Sequence, residues 1–142
     1  LIEIKDQDGN LGANVGPLEF EVAQALRNYS GDVAIMSFNP NSVAAFVKND
    51  LHISAGLVTD RFEAADWPTI SQPTRLHLRG MKDLKKVGAS FISHNQKYLH
   101  DLDFLNLKLS KIPILCWTVL SLKSEKKARK IADNITFEGY LA

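Results

Sequence analysis

The sequence predicts an α/β fold of parallel βα repeats, the C-terminal half or more of a TIM (β/α)8 barrel. Three observations predict it. Short β-rich runs alternate with helical patterns of about 10–15 residues, the signature of repeated βα units and a parallel sheet. The first run, Leu1-Ile2-Glu3-Ile4-Lys5, sets Ile2 and Ile4 on one face and Leu1, Glu3 and Lys5 on the other, because side chains alternate along a strand. A central strand of an open sheet, covered by helices on both faces, has little room for two charges on one face. In a barrel, the inward row near the carboxyl end of a strand meets the site mouth, where charges are functional. Finally, the chain has 142 residues, whereas a complete barrel takes about 250. It opens on Leu1 rather than Met, already inside a strand, so the numbering is expected to begin partway along a longer protein.

After the first strand a Gly-rich loop leads to a helix from Pro17 to about Asn28. Pro17 suits the first helical position, and Leu18, Val22, Ala25, Leu26 and Tyr29 form one apolar stripe. The run Asp32–Phe38 reads as a buried strand. Asn39-Pro40 then supplies an N-cap and a first-turn proline for a helix through Val43, Ala44 and Val47. A third strand covers Ser54–Val58. From Asp60 to about Thr74 there is little periodicity and several prolines, which predicts a loop with a helical turn. A helix over Leu76–Val87 is expected to end at Gly88 and to lead into a fourth strand at Ala89–Ile92. Leu99, Leu102, Leu105 and Leu109 mark the next helix, and a fifth strand runs from Pro113 to Val119. A basic helix at 122–131 and a strand at 133–137 complete the chain as one folding unit.

Composition bounds the function. The chain is 45% hydrophobic and 23% charged, which is ordinary for a globular protein. Seventeen Lys and Arg against sixteen Asp and Glu leave a net charge of +1. That balance gives no case for electrostatic capture of nucleic acid or of a membrane surface. The cluster Lys123, Lys126, Lys127, Arg129 and Lys130 therefore reads as a solvated outer helix face. No apolar stretch reaches the roughly 18 residues of a membrane span, and no signal peptide is visible. Cys116 is the single cysteine. Inside Ile112-Pro113-Ile114-Leu115-Cys116-Trp117 it is expected to be a small buried hydrophobe.

Glu3 and Lys5 carry the most chemistry. Two residues apart on a strand, they share a face at roughly 6.5 Å along the chain. Groups so placed can pair, or can divide the work on a phosphate ester. The carboxylate would then hold a hard divalent cation, and the ammonium would meet phosphate oxygens. A solvated edge-strand ion pair is the plainer alternative. Asp6 and Asp8 are turn residues that could add ligands. The loop Gly9–Gly16 lacks the spacing of a nucleotide-binding fingerprint. His52, His77, His94 and His100 show no metal-ligand spacing and are expected at the surface or at caps.

Four blocks, in order, resemble the glycerophosphodiester phosphodiesterase family. They are Leu1-Ile2-Glu3-Ile4-Lys5, Ile35-Met36-Ser37-Phe38-Asn39-Pro40, Cys116-Trp117-Thr118-Val119 and Asp133-Asn134-Ile135-Thr136-Phe137-Glu138. The family pattern has IEIK, SF-(N/D)-P, WTV and DGIITD strands at similar spacing. The last block departs from it, with Asn134 in place of Gly and Glu138 in place of Asp. The resemblance implies a TIM-barrel phosphoric diester hydrolase of lipid and glycerol metabolism. Such an enzyme cleaves glycerophosphodiesters to glycerol 3-phosphate and an alcohol, with a divalent metal such as Ca2+ or Mg2+. It implies Glu3 as a metal ligand and Lys5 as the catalytic, phosphate-contacting lysine. Trp117 matches the aromatic of the site mouth, while Ser37 and Phe38 match motif positions of more structural character. Lys5, Phe38 and Trp117 are the expected substrate-binding residues. The family's catalytic histidines and remaining metal carboxylates lie upstream of IEIK and have no counterpart here.

Three functions remain open on the sequence. The chain is part of such a hydrolase, a non-catalytic half-barrel that binds a ligand or partner, or a flavodoxin- or receiver-like domain built around Asp6, Asp8 and Asp60. In the first case it is expected to pair with the missing N-terminal half or to self-associate, and alone to bind metal weakly and turn nothing over.

Overall fold

The computed structural model describes residues 1–101 and 111–142. Among them, six strands form one parallel sheet: β1 Ile2–Glu3, β2 Ala34–Ser37, β3 Ser54–Thr59, β4 Phe91–Asn95, β5 Ile114–Val119 and β6 Asn134–Phe137. Their order in the sheet is their order in the chain, and the sheet curls into a half-barrel. A flavodoxin- or receiver-like domain reverses direction about its first strand; the unbroken progression overturns that reading. Helices α1 (Pro17–Leu26), α2 (Pro40–Val47), α3 (Gln72–Arg79) and α4 (Leu122–Ala128) lie in the connections.

Apolar side chains on the two faces of the sheet make two different cores. The outer core sits between strands and helices, with Ile35, Leu57, Ile92, Ile114 and Cys116 facing Ala23, Val43, Phe46 and Ala128. The inner one is smaller: Met36, Val58 and Phe91 bury one another beneath Phe38, Leu115 and Trp117. Gly56 makes the inner packing possible, because a Cβ there would collide with the Phe91 ring. Among the described residues, no helix is long and apolar enough to cross a membrane.

Several elements differ from expectation for identifiable reasons. The buried stripe of α1 is Glu19, Val22, Ala23 and Leu26, while Leu18, Ala25 and Tyr29 face outward. A charged residue thus lies on the packed face. Glu19 is fully buried, with its carboxylate accepting from Gly16 N–H at 2.6 Å and from Ser42 Oγ on α2 at 2.5 Å. A buried carboxylate so satisfied is tolerated. The third helix runs over Gln72–Arg79, not 76–87. Ser71 caps it, accepting from Thr74 N–H, and Gly80 closes it. Turns fill 81–88, ending in Gly88 with a left-handed φ of 72°. Strand β4 accordingly begins at Phe91. A 3₁₀ helix covers Gln96–Asp101, and the rest of the helix expected around Leu102–Leu109 lies outside the described residues. Asn39 and Pro40 open α2 as expected, with Asn39 Oδ1 accepting from Asn41 N–H at 2.9 Å.

Candidate functional site

All six strands point their carboxyl ends to one rim, the end at which (β/α)8 barrels place their sites. The inner face supplies Glu3 and Lys5 from β1 and its extension, Phe38 just after β2, Asp60 just after β3, Asn95 from β4 and Trp117 from β5. Parallel pairing aligns them: Glu3 lies opposite Met36, Val58 opposite Ser93, and Asn95 opposite Trp117. The β5–β6 register slips between Cys116 and Val119, a bulge at the rim beside Trp117 of the kind that re-aims side chains near sites.

Lys5 Nζ donates to Glu3 Oε1 at 2.8 Å. The lysine side chain is 76% exposed and the glutamate 24%, so the pair is worth no more than about 1 kcal/mol. Either partner can therefore be drawn off by a ligand at small cost. Asp6 and Asp8 are occupied otherwise. Asp6 accepts from Leu11 N–H at 3.1 Å and from Asn39 Nδ2 at 2.8 Å; Asp8 accepts from Gly12 and Asn14 N–H at 3.0 and 3.2 Å. Both acids shape the β1–α1 loop, and Asp6 ties it to the start of α2.

The aromatic side of the mouth extends beyond the residues expected there. Phe38 meets Trp117 with 5.4 Å between ring centroids and Trp67 with 5.0 Å, and Trp67 also packs on Phe62 at 5.0 Å. Trp67 carries no signal in the sequence, because its segment, the loop after β3, has no periodicity. Asp60 anchors it. This buried carboxylate accepts from Trp67 Nε1 at 3.0 Å, Asn95 Nδ2 at 3.1 Å and Arg61 N–H at 2.7 Å. Glu138 follows β6 at the far edge of the sheet, exposed, with its N–H bonded to Val119 O at 3.0 Å.

Three of the histidines stand away from this surface, whereas His94 lines a cavity together with Asp60. His77 pairs with Asp83 at 2.6 Å on the outside, and His52 and His100 are exposed. His94 corrects the surface expectation. It is buried on the outer face of β4, bonded through Nδ1 to Thr59 Oγ1 at 2.8 Å. Burial pushes its pKa down, against the opposing pull of the Asp60 carboxylate, the backbone at Tyr98 and Asp101.

A divalent cation finds little here. No cluster of three or more His, Cys, Asp or Glu side chains is gathered among the described residues. Ca2+ takes six to eight oxygens and Mg2+ takes carboxylates beside its waters, so Glu3 alone does not make a metal site.

The fold is that of a partial (β/α)8 barrel with its site rim at the strand carboxyl ends. Among solved structures, the chain is similar to a protein of Silicibacter pomeroyi DSS-3 named provisionally as a glycerophosphoryl diester phosphodiesterase. The two share 15% identity and a TM-score of 0.60, over 96% of this chain and 45% of that one. The likeness shows the fold, and the chain spans less than half the length of that neighbour. No family model and no curated protein matches the chain.

Proposed function

We propose that this chain forms one wall of the active site of a metal-dependent phosphoric diester hydrolase. The substrate is a glycerophosphodiester, cleaved to glycerol 3-phosphate and an alcohol. The observation that carries the proposal is the weak Glu3–Lys5 ion pair at the barrel rim, on the inner face of the sheet that also carries the Phe38–Trp117 ring pair. The sequence resemblance and the name of the structural neighbour support the same reading.

In hydrolysis a P–O bond forms to water, the P–O bond to the alcohol breaks, and the departing oxygen takes a proton. Charge on the phosphoryl oxygens is the quantity to stabilise. An incoming phosphate can draw the Lys5 ammonium away from Glu3 at small cost, which places a cation against those oxygens. Glu3 is the side chain that would contribute a carboxylate to a Ca2+ or Mg2+ ion, and such an ion would supply further positive charge to the phosphoryl oxygens. The proton donor is not among the four histidines, none of which lies on the inner face of the rim. That last observation favours one alternative, a non-catalytic half-barrel that holds a phosphodiester without cleaving it.

The test measures glycerol 3-phosphate release by the closed barrel containing this chain. Glu3→Gln is expected to cost orders of magnitude, partly recovered by excess metal. Lys5→Met is expected to lower kcat/KM without that recovery. Near wild-type turnover of Glu3→Gln at limiting metal overturns the ligand assignment. Turnover of glycerophosphocholine by residues 1–142 alone overturns the one-wall reading.

A further inference from the structure

A cavity of about 270 Å³ opens between the β3–α3 connection, the end of α3 and the segment after β4. It is lined by Asp60, Arg61, Arg79, Met81, His94 and Asp101. Its size suits a small ligand, and two guanidinium groups meet in its wall. Arg61 and Arg79 share one carboxylate oxygen, Glu63 Oε1, which lies 3.1 Å from Arg61 Nε and 3.2 Å from Arg79 Nη2. An oxygen held between two guanidinium groups is what a bound oxyanion presents. Arg79 Nε donates to the Arg61 carbonyl, and the Arg61 guanidinium lies over the Tyr98 ring at 5.1 Å. Both cations are thus positioned before any ligand arrives.

The acids around them yield easily. Glu63 is 41% exposed, and Asp101, 3.4 Å from Arg61, is 53% exposed; ion pairs so exposed are worth little. An anion with more oxygens and more charge than one carboxylate displaces both at small cost. Asp60 does not compete for the guanidinium groups, because its oxygens already accept three N–H bonds. His94 supplies an independent observation. It is 5% exposed, with Nδ1 bonded to Thr59 Oγ1 at 2.8 Å, while Nε2 is buried with no hydrogen-bond partner among the described residues. The threonine hydroxyl can donate to Nδ1, which leaves the ring proton on Nε2. A buried N–H without an acceptor costs free energy that a ligand oxygen recovers.

We propose that this cavity binds a phosphate group, free or at the end of a small phosphomonoester, with Arg61 and Arg79 as its cationic walls and His94 Nε2–H as a third donor. The site uses neither Glu3 nor Lys5, and it does not rest on the proposed function.

The experiment titrates methyl phosphate, inorganic phosphate and the diester dimethyl phosphate onto the chain at constant ionic strength and about pH 8, where the monoester is a dianion. Binding is followed on the side-chain nitrogen resonances of Arg61, Arg79 and His94. Methyl phosphate is expected to bind at least about five-fold more tightly than the singly charged diester. Arg79→Gln should weaken it by about ten-fold. Glu63→Gln, which removes the internal competitor, should strengthen it, a gain that a purely structural ion-pair network would not give. Lys5→Met should leave it unchanged. Whichever of methyl phosphate and inorganic phosphate binds more tightly identifies the source of the group. Circular dichroism checks that each variant is folded, and Arg61→Gln replaces Arg79→Gln if the latter is not. No phosphate binding by the folded wild type, equal binding of the diester, undiminished affinity in the arginine variant, or an affinity that Glu63→Gln fails to raise overturns the proposal. A loss of affinity in Lys5→Met would move the phosphate to the rim and overturn it equally, while favouring the proposed function.

Discussion

Two buried titratable groups on the outer face of the sheet show what single residues contribute. Cys116 is fully buried, and desolvation raises its thiol pKa to about 11, with Arg129 pulling weakly the other way. At pH 8 roughly one thiol in a thousand is ionised at that value, and the thiolate is the reactive form. Native protein is therefore expected to resist a thiol reagent at pH 8 and to react with one equivalent on unfolding; rapid native labelling would contradict the burial. His94 behaves differently with pH. Above about 6.5 the imidazole is neutral in the folded and unfolded chains alike. As pH falls below that value the unfolded chain takes up a proton that the folded one, with its lowered pKa, does not. Stability is thus present above the ordinary histidine pKa and is lost as pH falls through it toward the folded value. Thermal melts between pH 8 and 5.5 should show a falling Tm whose slope is smaller in His94→Gln. An equal slope would assign the acid sensitivity to other groups.

The elements show how far sequence patterns reach and where they stop. Strands of four or more residues bounded by turn signals were legible because a buried parallel strand is a short apolar run. The cap at Asn39-Pro40 was legible because its chemistry is local. The extent of α3 was not: the pattern over Leu76–Val87 reads as one helix, but the helix stops at Gly80 and the chain turns. The face of α1 was misjudged because Glu19 is packed there through Ser42, a partner 23 residues away. At the rim, Glu3 and Lys5 announced themselves by interrupting an apolar strand, whereas Asp60, Asn95 and Trp67 assemble only in three dimensions. Gly56 tests the inner packing. Gly56→Ala forces a methyl into the Phe91 ring, and overpacking of this kind costs about 1–3 kcal/mol. Denaturant melts should show that loss, with most of it recovered when Phe91→Leu is added, since residues in contact couple. Simple additivity of the two changes would show that the ring does not set the cost.

At the scale of the whole molecule, the sheet ends in two open edges. Among the described residues, β1 pairs only with β2, and β6 only with β5. Each edge presents backbone N–H and C=O groups that invite another strand. Apolar side chains accompany both: Leu1, Ile2, Leu18 and Phe20 are exposed around β1 and α1, and Leu120, Leu122, Phe137 and Leu141 around β6. A closed barrel removes such edges, and a half-barrel keeps them. The structural neighbour meets this chain over only 45% of its own length, so its fold holds chain enough to close the circle. The expected outcome is association, either with a second copy or with a segment of further parallel βα units. Sedimentation velocity should show species heavier than the 15.8 kDa monomer, increasing with concentration. Adding a separately produced complementary half should shift them to a single discrete complex. Charged substitutions at the edge, such as Ile2→Lys, should weaken both reactions, because an edge lysine discourages strand addition. A compact monomer that persists across concentrations and ignores any complement would show that the six strands are self-sufficient. The site would then have to be explained from Glu3, Lys5 and the aromatic rings of the mouth alone.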